Sequence, residues 1–152
     1  MSQLDLDALR EEFLNIEFEE RSFELEADKI AEYAKACGEL APRYTDPSDP
    51  DFQAPPTFAS SLQRGRGLPD NFPKLPGLGM DAGKAMESMK PIRPGRLSGK
   101  THLHDVYAKT GRSGRMIFMV TRMALFDDEG THLANADTSI VIREKPTEED
   151  QS

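Results

Sequence analysis

From residue 97 to residue 143 the chain runs through three long strand-like stretches joined by two short turns, and this run constrains the fold more than any other feature. Residues 97–107 place Leu97, Thr101, Leu103 and Tyr107 broadly on one face. Gly111 to Gly114 reads as a hairpin turn with a basic tip, and residues 115–126 (RMIFMVTRMALF) form a long apolar strand. A second, acidic turn spans 127–130, and a last strand runs over 131–143. Turns this short join only antiparallel neighbours. The apolar strand 115–126 demands cover, because an open apolar edge pairs with other chains; a dimer is therefore expected.

The upstream half is different. Residues 1–14 read as a short helix carrying Leu4, Leu6, Leu9, Phe13 and Leu14, and 16–26 as a short strand. Residues 27–38 form a helix with Ile30, Tyr33, Ala34 and Cys37 on one face and Gly38 as its stop, so Cys37 is expected to be a core thiol. Residues 39–56 hold five prolines and four acidic residues, so no regular element is expected there. A loop of that length is uncommon unless it has a function. Residues 57–63 suit a short helix, which Gly65, Gly67 and Pro69 cut off. A strand is expected over 85–92, and Pro94-Gly95 makes a turn. Helical segments followed by antiparallel strands give an α+β domain, one sheet wrapping a helix.

Charge narrows the function. The net charge is -8, yet residues 93–126 carry seven basic residues and one acidic residue, while residues 1–60 carry five and fifteen. The stripe of Arg93, Arg96, Lys100, Lys109, Arg112, Arg115 and Arg122 is either a solvated face or a site for a phosphorylated small molecule. Nucleic acid is not expected, since only Tyr107 and Phe118 are aromatic there. No 18-residue apolar run is present, no secretory leader is expected, and the one cysteine excludes an internal disulfide, so the expected location is cytoplasmic. His102 and His104 share a strand face, but no third ligand is evident and no metal is expected. The glycines of GLGMDAG lack the spacing of a dinucleotide fingerprint, and Ser60 and Ser61 lack a glycine-flanked elbow.

Four stretches together resemble the MaoC-like dehydratase family, in particular its N-terminal hotdog type. They are ADKIAEYAKACGELAPRYTD, QAPPTFASSL, MKPIRPGRLSGKTHLHDVYAKTGRSGRMIFMVTRMALFDDEG and ANADTSIVIRE, covering roughly residues 20–144. The resemblance implies a single hotdog domain over 16–144, an antiparallel sheet around a shortened central helix, with a helical segment over 1–15 before it and a disordered acidic tail over 145–152 after it. Catalytic members carry an Asp and a His five positions apart on the loop. The pair grips one water that adds to an enoyl thioester.

Aligned on Gly38 and Pro42, this chain places Glu39 at the Asp position and Tyr44 at the His position. A phenol, titrating near ~10, is a poor substitute for an imidazole near ~6.5, so the dyad is read as lost and no catalytic residue is assigned. The resemblance then implies a non-catalytic, acyl-CoA-binding subunit of a heteromeric enoyl-CoA hydratase or dehydratase. A catalytic hotdog partner would complete a heterodimer or heterotetramer. The implied acyl contacts are Tyr44, Ala54, Pro55, Pro56, Thr57 and Phe58; Lys109, Arg112 and Arg115 are candidates for the CoA phosphates. No cofactor is expected beyond the thioester itself. The short helix leaves space under the sheet, which a bulky, sterol-type acyl group or a plug from residues 66–84 would fill. Two alternatives stand: a self-sufficient homodimeric hydratase or thioesterase using Glu39, and a non-enzymatic thioester-binding scaffold.

Overall fold

The first helix, α1 (Leu6–Phe13), begins where the Asp5 carboxylate accepts a hydrogen bond from the Ala8 N–H at 3.1 Å. Leu9 and Phe13, one turn apart, form its buried side. In the computed structural model, which describes residues 4–63 and 67–144, the chain then turns at Asn15 (φ 60°) into β1 (Glu17–Leu25). Next comes α2 (Ala27–Ala36), with Ile30, Ala31 and Ala34 buried. Gly38 (φ +81°) reverses the chain, and the Glu39 N–H returns to the Ala34 carbonyl at 2.9 Å. Cys37 lies in this reversal and is exposed, not a core thiol. The helix has already ended, so its buried stripe does not extend to position 37.

Residues 39–56 are not wholly irregular. A single turn, α3 (Pro42–Thr45), forms with proline at its start, where the missing N–H costs nothing. The rest of the loop is fixed by specific bonds. The Gln53 N–H donates to the Arg43 carbonyl (2.8 Å), the Ala54 N–H to Ile92 (2.7 Å), and Arg93 holds both the Phe52 carbonyl and the Asp51 carboxylate at 3.1 Å. The helix expected over 57–63 is α4 (Phe58–Leu62).

The strand expected over 85–92 runs instead as β2 (Gly79–Ser88). Gly83 (φ +123°) sits at a bulge between Asp81 and Gly83, a position that suits glycine. The Met89 and Lys90 N–H groups both turn to the Leu133 carbonyl, so the strand ends early. The long strands follow as β3 (Gly95–Gly111), β4 (Gly114–Asp127) and β5 (His132–Arg143). Gly114 (φ +106°) closes the first turn. In the second, the Asp127 carboxylate accepts from the Glu129 and Thr131 N–H groups at 2.9 and 2.8 Å.

The five strands form one antiparallel sheet in the order β1-β3-β4-β5-β2. The apolar strand 115–126 is therefore not an edge, as expected, but the centre. It belongs to β4, paired on both sides, and the edges are β1 and β2.

Alternate residues of β4 (Ile117, Met119, Thr121, Met123 and Leu125) are buried on the inner face. Two groups of residues cover that face. At one end α2, α4, Phe52 and Ala54 pack on Leu97, Met123, Leu125 and Ala134. At the other, α1 with Leu68, Phe72 and Leu75 covers Leu103, Val106, Ile117, Met119 and Ile142; the Phe13 and Phe72 rings lie 5.0 Å apart. A polar waist divides them. Thr101 and Thr121 are buried there; Gln63 donates to the Thr121 carbonyl (3.3 Å) and accepts from Thr138 (2.8 Å). The space expected beneath the sheet is thus filled by the folded-back chain at 67–78. That removes the reason for placing a bulky acyl group there. The expected tail, 145–152, lies outside the described residues.

Candidate functional site

Glu39 and Tyr44, which the resemblance sets at the Asp and His positions, lie on either side of the entry to α3 and are both half-buried. The Arg43 guanidinium sits 4.8 Å from the centre of the Tyr44 ring. Downstream, the Asp46 carboxylate accepts from the Ser48 hydroxyl at 2.7 Å and the Ser48 N–H at 2.9 Å; these bonds hold it below its ordinary pKa.

The implied acyl contacts divide by exposure. Ala54, Pro55 and Phe58 are buried and anchor the loop, whereas Pro56 and Thr57 face solvent and Tyr44 is partly accessible. The Thr57 hydroxyl accepts from the Tyr33 phenol at 3.1 Å, and Tyr33 meets Phe58 edge-on with centroids 5.1 Å apart. Tyr44, Pro56 and Thr57 are therefore the members of this set with accessible surface at the loop.

The three histidines are elsewhere. The loop and α3 lie on the inner side of the sheet, where Phe52 and Ala54 join the core. His102 pairs across the ladder with Arg122, on the opposite, outer face, and its Nε2 lies 3.2 Å from Nδ1 of His104. His132 is on that outer face too, stacked on Phe126 and 2.7 Å from the Asn135 amide oxygen. Burial pushes the His102 imidazolium below its ordinary pKa; His104 and Arg122 push the same way and Asp137 opposes. No imidazole is available on the loop side, and among the described residues no group of three metal-ligating side chains assembles.

The basic candidates do not join the loop. Lys109 is about 14 residues beyond the start of β3, ~45 Å of extended chain at ~3.3 Å per residue. It lies over Tyr107 and Phe118, whose rings stack 4.9 Å apart. Arg112 is exposed at the hairpin tip. Arg115 is committed structurally: its guanidinium holds Glu144 at 2.8 and 2.9 Å and donates to the Leu4 carbonyl at 2.6 Å. These bonds occupy the guanidinium that the resemblance offered to a CoA phosphate. Burial pushes the Glu144 carboxyl up, but the bonds from Arg115 and the Leu4 N–H outweigh it and hold the group below its ordinary pKa. This clamp, missed in the sequence, ties the start of the chain to the end of β5.

A groove of about 660 Å³ lies between β1, α2 and α4. Of the implied acyl contacts only Phe58 reaches it. The sequence signal was Phe23 and Leu25 alternating on a strand beside an amphipathic helix.

Comparisons with known proteins agree with this architecture. A family described as FAS1-like, dehydratase domain region, matches residues 12–136. A UPF0336 protein of Saccharopolyspora erythraea is 30% identical over 145 residues, covering 85% of this chain and 89% of its own. The C-terminally truncated HadBC (3R-hydroxyacyl-ACP dehydratase) complex of Mycobacterium tuberculosis superposes with a TM-score of 0.60 at 19% identity, over 80% of this chain and 90% of that one. The ChsH1-ChsH2 complex of the same organism gives 0.63 at 17% identity, over 86% of each chain. With a five-stranded antiparallel sheet and helices on its inner face, the chain belongs to the FAS1-like dehydratase-region family and has the hotdog fold of the MaoC-like dehydratases.

Proposed function

We propose that this chain is the non-catalytic, acyl-CoA-binding subunit of a heteromeric MaoC-like enoyl-CoA hydratase or dehydratase. One observation carries the reading: the loop that bears the reacting pair in catalytic members holds Glu39 and Tyr44 here, and all three imidazoles sit on the other face of the sheet. General acid–base work on water needs a group titrating near the working pH within hydrogen-bond reach of the reacting atoms. A partner hotdog supplies it. Both structural neighbours named above are complexes, which supports a partner subunit.

The β2 edge offers the place for that partner. Among the described residues it pairs with β5 alone, and nearly all of its residues are exposed, with Met80 at 49%. Tyr44, Pro56 and Thr57 then present a surface for the acyl thioester at the joint. A bulky, sterol-type acyl group would have to displace Leu68, Phe72 and Leu75 to lie under the sheet. The test is co-purification from the source cell, followed by thermal-shift titration with short- and bulky-chain CoA esters. Recovery of a hotdog partner carrying Asp and His, with stabilisation of the complex by a thioester, is expected. A solitary chain that no thioester stabilises would overturn the proposal. Thioester binding without turnover, even with the partner present, would instead favour the scaffold.

A further inference from the structure

The groove of about 660 Å³ beside β1 has a feature that a side-chain pocket does not. Residues 21–26 all line it, consecutively. Side chains of a strand alternate between faces, so a pocket on one face is lined by every second residue. Five in a row from β1, followed by Glu26 at the turn into α2, means that the groove runs along the strand edge and exposes its backbone. β1 pairs only with β3, so among the described residues its other edge carries no strand. The opposite wall is one face of α2, formed by Lys29, Glu32, Tyr33 and Ala36 at helical spacing. Phe58 and Leu62 of α4 give it an apolar floor. A strand edge, a gap and a parallel-sided helix face together make the geometry of strand addition, in which main-chain bonds give affinity and alternate side chains enter the gap.

We propose that this groove takes an extended, lysine- or arginine-bearing segment of a partner protein as a sixth strand on β1. Charge selects that occupant. Residues 17–36 carry seven carboxylates against three cations, and in the groove itself Glu24, Glu26 and Glu32 outnumber Arg21 and Lys29. The same carboxylates repel the phosphates of an acyl-CoA, and an alkyl chain leaves the edge N–H and C=O groups without partners. The inference is independent of the proposed thioester role.

The full chain, immobilised, is panned against a displayed random dodecapeptide library, with counter-selection on Ala36→Trp. Ala36 is exposed, so tryptophan fills the groove from its rim, and thermal denaturation checks the fold. Enriched peptides are expected to alternate apolar and basic residues. Fluorescence anisotropy is expected to show at least tenfold weaker binding to Ala36→Trp and to Glu26→Lys/Glu32→Lys. Bound peptide slows amide exchange across residues 21–25 at least tenfold. No enrichment, acidic or helix-patterned winners, or equal binding to both variants would overturn the inference. Displacement of the peptide by lauroyl-CoA would also overturn it, and would assign the groove to the acyl group, leaving the proposed thioester role intact.

Discussion

The two ends of the inner sheet face solve the same problem with different material. At one end, regular helices cover the sheet, and Ile30, Ala34 and Ala59 are completely buried. At the other, a single short helix and an irregular segment do it, and Leu68, Phe72 and Leu75 remain only partly buried. A curved sheet needs cover along its whole length, but the cover need not be a continuous helix. Where α4 stops, Gln63 turns its amide to the backbone of Thr121, and the chain beyond it returns as a plug. The cover at the helical end includes fully buried residues, whereas the apolar residues of the plug keep part of their surface exposed.

The largest effect should fall at the helical end. Ile30→Ala removes a fully buried side chain and is expected to cost ~2–5 kcal/mol in urea unfolding. Breaking the clamp at the plug end comes next. Glu144→Gln leaves the Arg115 guanidinium facing a neutral amide. Loss of one member of a buried pair costs ~3–5 kcal/mol, and the partial exposure of Arg115 brings this nearer ~2 kcal/mol. The sign with pH follows from the lowered carboxyl. The clamp stabilises fully above the ordinary glutamate range, and its contribution fades as pH falls through that range to the lowered value. Wild-type and Glu144→Gln stabilities should therefore converge in acid.

Phe72→Ala tests the plug itself. Its ring is half-buried against Phe13, so a loss of ~1–2 kcal/mol is expected, below the ~3–5 kcal/mol of a fully buried phenylalanine. If Phe72→Ala costs as much as Ile30→Ala, the two ends are equally rigid and the contrast fails. The smallest effect is Asp5→Ala, which removes the cap of α1 and should cost ~1 kcal/mol in the same assay.

What could be read from the sequence was local. Gly111, Gly114 and Gly130 marked the two turns between the long strands, because tight reversals need glycine or small polar residues. The stripe of α2 and the run of β4 were plain from periodicity. Strand order was not: an apolar run reads alike at an edge or a centre, and β4 proved central. The plug could be named only as one of two fillings, because Pro69, Pro73 and Pro76 dominate a segment whose Leu68, Phe72 and Leu75 nevertheless reach the core. At the candidate site, the resemblance by itself put Glu39 and Tyr44 at the positions of the reacting pair. The commitment of Arg115 was not, since Glu144 lies 29 residues away and Leu4 lies 111 away. No local pattern encodes such a pairing.

The direct test of the central claim is a hydration assay of the purified chain alone with crotonyl-CoA. A rate no greater than buffer is predicted, with turnover restored by the catalytic partner. Brisk conversion by the lone chain, lost in Tyr44→Phe or Glu39→Gln, would contradict it.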